Sequence, residues 1–142
     1  MTEKQFLKSI RAKHLISFRR YLSLSGDGDS VIDFLSMNAF ELRSYISDRW
    51  LSNMSWDNYR EHWIVDHVVP MRYFDPRNLK DMKLCWNHNN LIPAYYWDNH
   101  AKGYCVDTTI SILESMPQNG STKLLLDKVS DIGKMFNKYR NG

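Results

Sequence analysis

The feature that most constrains this chain is the composition of residues 50–100. All five Trp and four of the five His lie in this segment, and no Gly occurs between residues 29 and 102. Aromatic side chains bury large areas, and histidines titrate near neutral pH and bind metals. We therefore expect the functional site in this segment. With 142 residues, the chain has the size of about one domain.

Composition excludes several classes of protein. With 43% hydrophobic and 25% charged residues, the sequence does not resemble a disordered or low-complexity chain. No apolar run approaches the roughly 18 residues of a membrane-spanning helix, and the first residues lack the apolar stretch of a signal peptide. We therefore expect a cytoplasmic protein without a membrane partner. Cys85 and Cys105 cannot form a disulfide framework and are expected to be buried free thiols.

The N-terminus is basic. Residues 1–20 carry six Lys or Arg and one acidic residue, a net charge of +5 in a chain whose total is +3. Thr2 and Gln5 form a capping-box pattern, and the apolar spacing predicts a helix to about Leu24. A basic helix can lie along DNA phosphates, although a solvated charged face explains the same pattern nearly as well. The candidate contacts to DNA are Lys4, Lys8 and Arg11.

Turn signals separate this helix from the segment that follows. Residues 25–30 consist of Ser, Gly and Asp and predict a flexible linker, so that residues 1–30 form a basic helix with its linker. Asn38, with a Glu three residues later, predicts the start of a second helix that ends near Asn53. The central unit is expected to cover residues 31–104.

Two short strands and a short helix are expected within the central unit. Residues 63–65 form a β-branched and aromatic run that ends in a turn, and residues 90–92 form a second run that Pro93 is expected to stop. Residues 95–102 predict a short helix that Gly103 could terminate. The predicted local order is therefore strand, loop, strand, helix.

Residues 105–142 are expected to form a C-terminal helical extension. Apolar spacing predicts helices over 107–116 and 121–140. Packing of the second helix on the core is the default interpretation. A contact to DNA, to another protein or to a second copy of the chain remains open, and the terminal helices are the expected surfaces for a homodimer.

Asp66 and His67 place an acid and an imidazole on successive residues at a strand end. Their side chains leave the strand in roughly opposite directions. Hydrolysis of a phosphodiester needs a cation that neutralises the phosphate and a base that deprotonates water, and this pair supplies one group for each task. Taken alone, however, a His beside an Asp is more often a hydrogen-bonded structural pair.

Three later residues add weight to the catalytic interpretation. Asn90 begins the second predicted strand, and Asn99 and Lys102 share one face of the predicted short helix. An amide oxygen is a suitable ligand for Mg²⁺, and a lysine is a suitable contact to a phosphate.

These motifs resemble the phage-type HNH endonucleases of the His-Me finger (ββα-metal) superfamily. The resemblance covers about residues 36–104, half of the chain. It rests on residues 54–59, the motif Trp63-Ile64-Val65-Asp66-His67-Val68-Val69-Pro70, Phe74, the motif Asn90-Leu91-Ile92-Pro93, and residues 98–103. It implies an α+β protein in which a small ββα-metal core is flanked by N-terminal and C-terminal helices.

The resemblance also implies a role for each matching residue. His67 would be the general base, Asn90 would orient the catalytic loop, and Lys102 would hold the phosphate or leaving group. Asp66 and Asn99 would bind one divalent metal, Mg²⁺ or alternatively Mn²⁺. No structural zinc is expected, because the Cys-x-x-Cys knuckles of many family members are absent from the sequence.

The expected function is metal-dependent endonuclease cleavage of DNA that leaves 5'-phosphate and 3'-hydroxyl ends. The expected setting is the cytoplasm of a bacterial host cell, with the protein encoded by a phage. Two alternatives stay open. One is a DNA-docking or partner-binding subunit of a phage or bacterial assembly that keeps the HNH fold, and the other is an RNA nuclease.

Overall fold

The structure is a computed structural model that describes residues 1–98 and 104–141, with the backbone alone for 138–141. Within these ranges the chain is an α+β protein with five α-helices and one two-stranded antiparallel sheet. The expected α+β class is therefore confirmed. Of the helices described, none has the length and apolar character needed to span a membrane.

The elements follow one another along the chain with short connections. In order they are α1 (Glu3–Leu22), α2 (Ala39–Ser47), β1 (Trp63–His67), α3 (Leu79–Cys85), β2 (Leu91–Tyr95), α4 (Val106–Glu114) and α5 (Gly120–Asn141). Single turns of 3₁₀ helix occur at Trp56–Asn58, Met71–Tyr73 and His88–Asn90.

Helix α1 begins with the predicted capping box but ends two residues earlier than expected. Thr2 accepts from the backbone N–H of Gln5, and the Gln5 side chain accepts from the N–H of Thr2. The helix stops at Leu22, and Leu24 adopts a left-handed backbone conformation with φ of 61°. Such a conformation cannot continue a right-handed helix.

The segment 25–30 packs against α1, whereas the sequence predicted a flexible linker here. Ser17 on α1 donates a hydrogen bond of 2.9 Å to Asp29, and the His14 ring lies 3.0 Å from the Ser30 hydroxyl. Gly28 has φ of +74° beside the Tyr21 ring. Because glycine adopts this conformation without strain, the chain can reverse here and return along the helix.

The two strands are longer than the sequence predicts. β1 and β2 pair antiparallel with Val65 opposite Pro93 and His67 opposite Leu91, so Pro93 does not stop the second strand. In a two-stranded sheet both strands are edges, and a proline whose missing N–H faces outward removes no ladder bond. Along β1 the side chains alternate, and Trp63 and Val65 enter the core.

Helix boundaries differ from the predictions in two other places. α2 ends at Ser47 and not near Asn53. α3 was not predicted; it begins after Asn78, whose side chain accepts from the N–H of Asp81. Residues 96–98 follow β2 directly, and most of the predicted helix 95–102 lies outside the described residues.

A single hydrophobic core joins the three parts of the chain. Phe18 of α1 packs against Trp86, with ring centroids 5.0 Å apart, and Trp63 and Phe74 are fully buried nearby. Helix α5 adds three buried side chains to the same core, namely Leu125, Val129 and Ile132. The terminal helices therefore belong to the same packed unit as the β1–β2 hairpin.

Candidate active site

A cleft of about 660 Å³ opens beside β1 and brings the predicted catalytic pair together with the basic N-terminal helix. Residues of α1, of the hairpin and the turn after β1, and of the start of α4 line it. The polar and charged residues that line the cleft include Lys8, Arg11, Arg19, Asp66, His67, Arg72 and Asp98. Segments far apart in sequence therefore contribute to one site.

Asp66 lies on the face of β1 that borders the cleft. Its Oδ1 accepts a hydrogen bond of 2.9 Å from the backbone N–H of His67. Burial raises the pKa of the Asp66 carboxyl above its ordinary value. Among the described residues no cation forms an ion pair with it. A partly desolvated carboxylate without a counter-charge is costly, and a divalent cation would remove that cost.

His67 is nearly closed to solvent, with 9% of its surface exposed. Its ring lies edge-on against Trp86, with centroids 4.6 Å apart. Nε2 is buried and has no hydrogen-bond partner among the described residues. Burial lowers the pKa of His67 to about 3, so the imidazole is neutral at neutral pH. A buried polar atom without a partner costs roughly 1–3 kcal/mol, and such atoms often mark functional sites.

Asn90 is fully buried and ties together the segments around the catalytic pair. Its Oδ1 accepts from the N–H of Val69 at 2.8 Å, and its Nδ2 donates to the carbonyl oxygens of Val69 at 3.1 Å and of Cys85 at 2.9 Å. The Asn90 carbonyl accepts from the N–H of Val68 at 2.9 Å. Asn90 is not among the residues that line the cleft. Its bonds fix the backbone that follows His67, which is the action of a positioning residue.

The remaining predicted residues of the metal and phosphate site, Asn99 and Lys102, lie outside the described residues. Asp98, which precedes them, lines the cleft. The described part of the chain contains no group of three or more His, Cys, Asp or Glu that could hold a metal ion. A metal here would therefore depend on Asp66, the predicted Asn99, water and substrate oxygens, which suits Mg²⁺ because Mg²⁺ retains much of its hydration.

The basic residues predicted to contact DNA divide into two groups. Lys8 and Arg11 line the cleft, whereas Lys4 does not. Sequence reasoning missed two further cations that line it, Arg19 and Arg72. The spacing of Arg19 from Lys8 along one face of α1 could have suggested the former, whereas nothing in the sequence indicated the position of Arg72.

The cations of the cleft are not held in ion pairs within the described ranges. None of the four forms an ion pair with a described carboxylate. Arg11 donates from Nη2 to the carbonyl of Phe74 at 3.3 Å, and its Nε is buried without a described partner. Four positive side chains and two carboxylates, Asp66 and Asp98, leave the lining positive overall, which favours a phosphate-containing ligand.

The two cysteines lie in contrasting environments. Cys85 is buried, and desolvation raises the pKa of its thiol. Cys105 is exposed, so the expectation that both thiols are buried is wrong for this residue. It lines the cleft at the residue before α4, where a hydrogen bond with the Thr108 side chain lowers the pKa of its thiol. The expectation holds for Cys85, which is buried, and both cysteines are free thiols.

Cys105 therefore offers a direct probe of the cleft. In the native protein, 5,5'-dithiobis(2-nitrobenzoic acid) should label the exposed Cys105 at least tenfold faster than the buried Cys85, because a thiolate reacts only where the reagent can reach it. An oligonucleotide bound in the cleft should slow that reaction several-fold. Absorbance of the released thiolate measures both rates, and Cys105→Ser should remove the fast phase. Fast labelling of Cys105 that saturating DNA leaves unchanged would contradict the prediction that nucleic acid binds in this cleft.

Comparison with known proteins places the chain in no established family. No family model matches it, and no solved structure matches it. Over 96 residues it is 27% identical to uncharacterized protein L426 of Acanthamoeba polyphaga mimivirus. The match covers 66% of this chain and 42% of that protein, so the chain spans about two fifths of the relative's length. This likeness assigns no activity.

Proposed function

We propose that the chain is a metal-dependent endonuclease of the HNH type that hydrolyses DNA phosphodiester bonds through a ββα-metal core. The observation that carries the proposal is the position of Asp66 and His67. They stand at the end of an antiparallel strand in a cleft bordered by four cations that form no ion pair with a described carboxylate. The likeness to a viral protein is in keeping with a phage or viral source.

The metal would be held by Asp66 and Asn99. The uncompensated Asp66 carboxylate fits a hard divalent cation, Mg²⁺ or Mn²⁺, and a carboxylate with an amide oxygen is a suitable donor set for either. When bound, the ion supplies charge neutralisation on the phosphate and on the departing 3'-oxygen.

The chain's own residues would perform the remaining steps. The neutral imidazole of His67 takes a proton from the water that attacks phosphorus, and Lys102 holds the phosphate or the leaving group. Asn90 keeps the backbone after His67 in place through its bonds to Val69. Loss of the 3'-oxygen as leaving group gives a 5'-phosphate and a 3'-hydroxyl.

Conversion of supercoiled plasmid tests this function. With Mg²⁺ the wild-type protein should produce open-circle or linear DNA, and EDTA should stop the reaction. Asp66→Asn should lose at least 100-fold in rate, because a neutral amide holds a hard cation far less well than a carboxylate. Cutting that persists in EDTA, or in the Asp66→Asn variant, would overturn the proposal. No cutting of DNA with Mg²⁺ or Mn²⁺ would overturn it in favour of RNA cleavage or a docking role.

The contribution of the basic residues can be measured with a matched pair of variants. Lys8→Gln removes a cation that lines the cleft, and Lys4→Gln removes one that does not. Lys8→Gln should weaken DNA binding and lower the slope of log K against log salt concentration by about 0.7 for a single strand or about 0.9 for a duplex. Lys4→Gln should leave both unchanged. Fluorescence anisotropy at several salt concentrations gives the slopes, and equal effects of the two variants would contradict binding in the cleft.

A further inference from the structure

We propose that the cleft receives a single strand of DNA, or an unpaired nucleotide of a duplex, in preference to a fully paired double helix. The inference rests on the proposed nuclease function and names the form of its substrate. Three features carry it: the small volume of the cleft, its apolar floor and the positions of its cations.

The floor of the cleft is formed by those lining residues that are buried or partly buried, and some of them are almost closed to solvent. Ile64, on the same face of β1 as Asp66, lines the cleft but is only 8% exposed, and Thr109 of α4 lines it and is 4% exposed. The volume of about 660 Å³ falls in the range of pockets that hold one small ligand. A double helix, whose major groove alone is about 12 Å wide, is far larger than this space. The cleft therefore has room for a nucleotide but not for a whole duplex.

The floor is also largely apolar. The apolar side chains that line it include Leu15, Ile64, Met71, Ile92, Ala94 and Ile112. In a duplex the faces of the bases are stacked on one another, so a paired backbone would meet this floor only with sugars and charged phosphates. An unpaired base presents an apolar face that such a floor can cover. Tyr104 also lines the cleft, and stacking of a base on an aromatic ring is worth about 1–3 kcal/mol.

The cations supply the contacts that a phosphate backbone needs. Lys8 and Arg72 are exposed, whereas Arg11 and Arg19 are partly buried. The Nε of Arg11 is a buried donor that has no acceptor among the described residues. A positive lining that follows the backbone, combined with apolar and aromatic surface that covers bases, is the arrangement by which proteins bind single-stranded nucleic acid.

Oligonucleotides of one sequence in three forms test this inference. They are a single strand, the perfect duplex, and the duplex with a few unpaired nucleotides at its centre. Anisotropy in EDTA should show the single strand bound at least tenfold more tightly than the perfect duplex. In Mg²⁺ the single strand and the unpaired segment should be cut at least tenfold faster than paired DNA. Equal binding and equal cutting of all three forms would overturn the inference and leave the nuclease proposal standing.

A pair of tryptophan variants separates occupancy of the cleft from binding elsewhere. Ala12 is an exposed residue of α1 that lines the cleft, and Ser9 is an exposed residue of α1 that does not. Ala12→Trp should fill the space and lower single-strand binding and cutting at least tenfold, whereas Ser9→Trp should change neither. Equal effects of the two variants would overturn the inference. A third outcome separates the two proposals. If the wild-type protein bound the single strand more tightly, if Ala12→Trp abolished this preference, and if no form of DNA were cut, the inference about binding would be supported and the nuclease proposal overturned.

Discussion

Replacing His67 by alanine should lower the rate of metal-dependent DNA cleavage by at least 100-fold and leave DNA affinity within about twofold of the wild-type value. A positioned general base contributes about 10²- to 10⁴-fold to such reactions. Affinity should persist, because we expect phosphate contacts from cations that line the cleft, such as Lys8 and Arg19, to supply most of it. The measurements are the rate of plasmid nicking in Mg²⁺ and the anisotropy of a labelled oligonucleotide in EDTA.

This variant needs a test of folding, because His67 packs against Trp86 and alanine leaves a space beside that ring. Thermal melting of the variant shows whether it is folded at the assay temperature. His62→Ala is a matched control, since His62 is a partly buried histidine next to β1 that does not line the cleft. A folded His67→Ala protein that cuts at the wild-type rate would exclude His67 as the base. Restoration of cutting by added imidazole would support the assignment independently.

The sequence predicts the local structure around the site well, because local signals decide it. The cap of α1 and the strand character of the segment before Asp66 depend on residues a few positions apart. Helix α3 was missed because its seven residues are too few to show a clear helical spacing of apolar side chains. Asn78, which precedes it, is nevertheless a common N-cap residue. The continuation of β2 past Pro93 depends on whether the position of the missing N–H faces the paired strand or the open edge of the sheet. That is a property of the tertiary structure and not of the local sequence.

The surroundings of the site could not be predicted, because they depend on packing between distant segments. The core contact of Phe18 with Trp86 joins α1 to residues almost 70 positions away, and it is this packing that brings Lys8 to the cleft. Nothing in the sequence distinguished Lys8 from Lys4. The exposure of Cys105 follows in the same way from the position of α4. The resemblance to HNH endonucleases covers neither α1 nor α4, so it could not predict that residues of these two helices line the cleft.

The resemblance did select the residues that meet near the end of β1. Asp66 accepts from the His67 N–H, and Asn90 accepts from the N–H of Val69, two residues after His67, although Asn90 is 23 residues after His67 in sequence. The burial of the imidazole was not expected, because strand alternation predicts only the direction of a side chain and not its depth. The assignment of Asn99 and Lys102 stays a prediction from sequence.

Asn90→Ala should produce the largest loss of stability of any substitution discussed above, about 3–5 kcal/mol in the free energy of unfolding. The Asn90 side chain satisfies the N–H and C=O of Val69 and the C=O of Cys85 in a fully buried position. Removal of one partner leaves a buried polar group unpaired, at roughly 1–3 kcal/mol for each group. Urea denaturation followed by tryptophan fluorescence measures the change.

Two further variants show whether the hydrogen bonds of Asn90, and not its volume, cause the loss. Asn90→Asp keeps an acceptor for the Val69 N–H but turns a carboxylate toward the Val69 and Cys85 carbonyl oxygens, so it should lose as much stability as alanine. Asn87→Ala is the control, because its side chain accepts only from the neighbouring Asn89 N–H and should cost about 1 kcal/mol. If Asn90→Asp were as stable as the wild type, the network would not be what holds the backbone after His67. If instead the folded fraction of Asn90→Ala bound DNA normally but cut slowly, the same bonds would be shown to position the base.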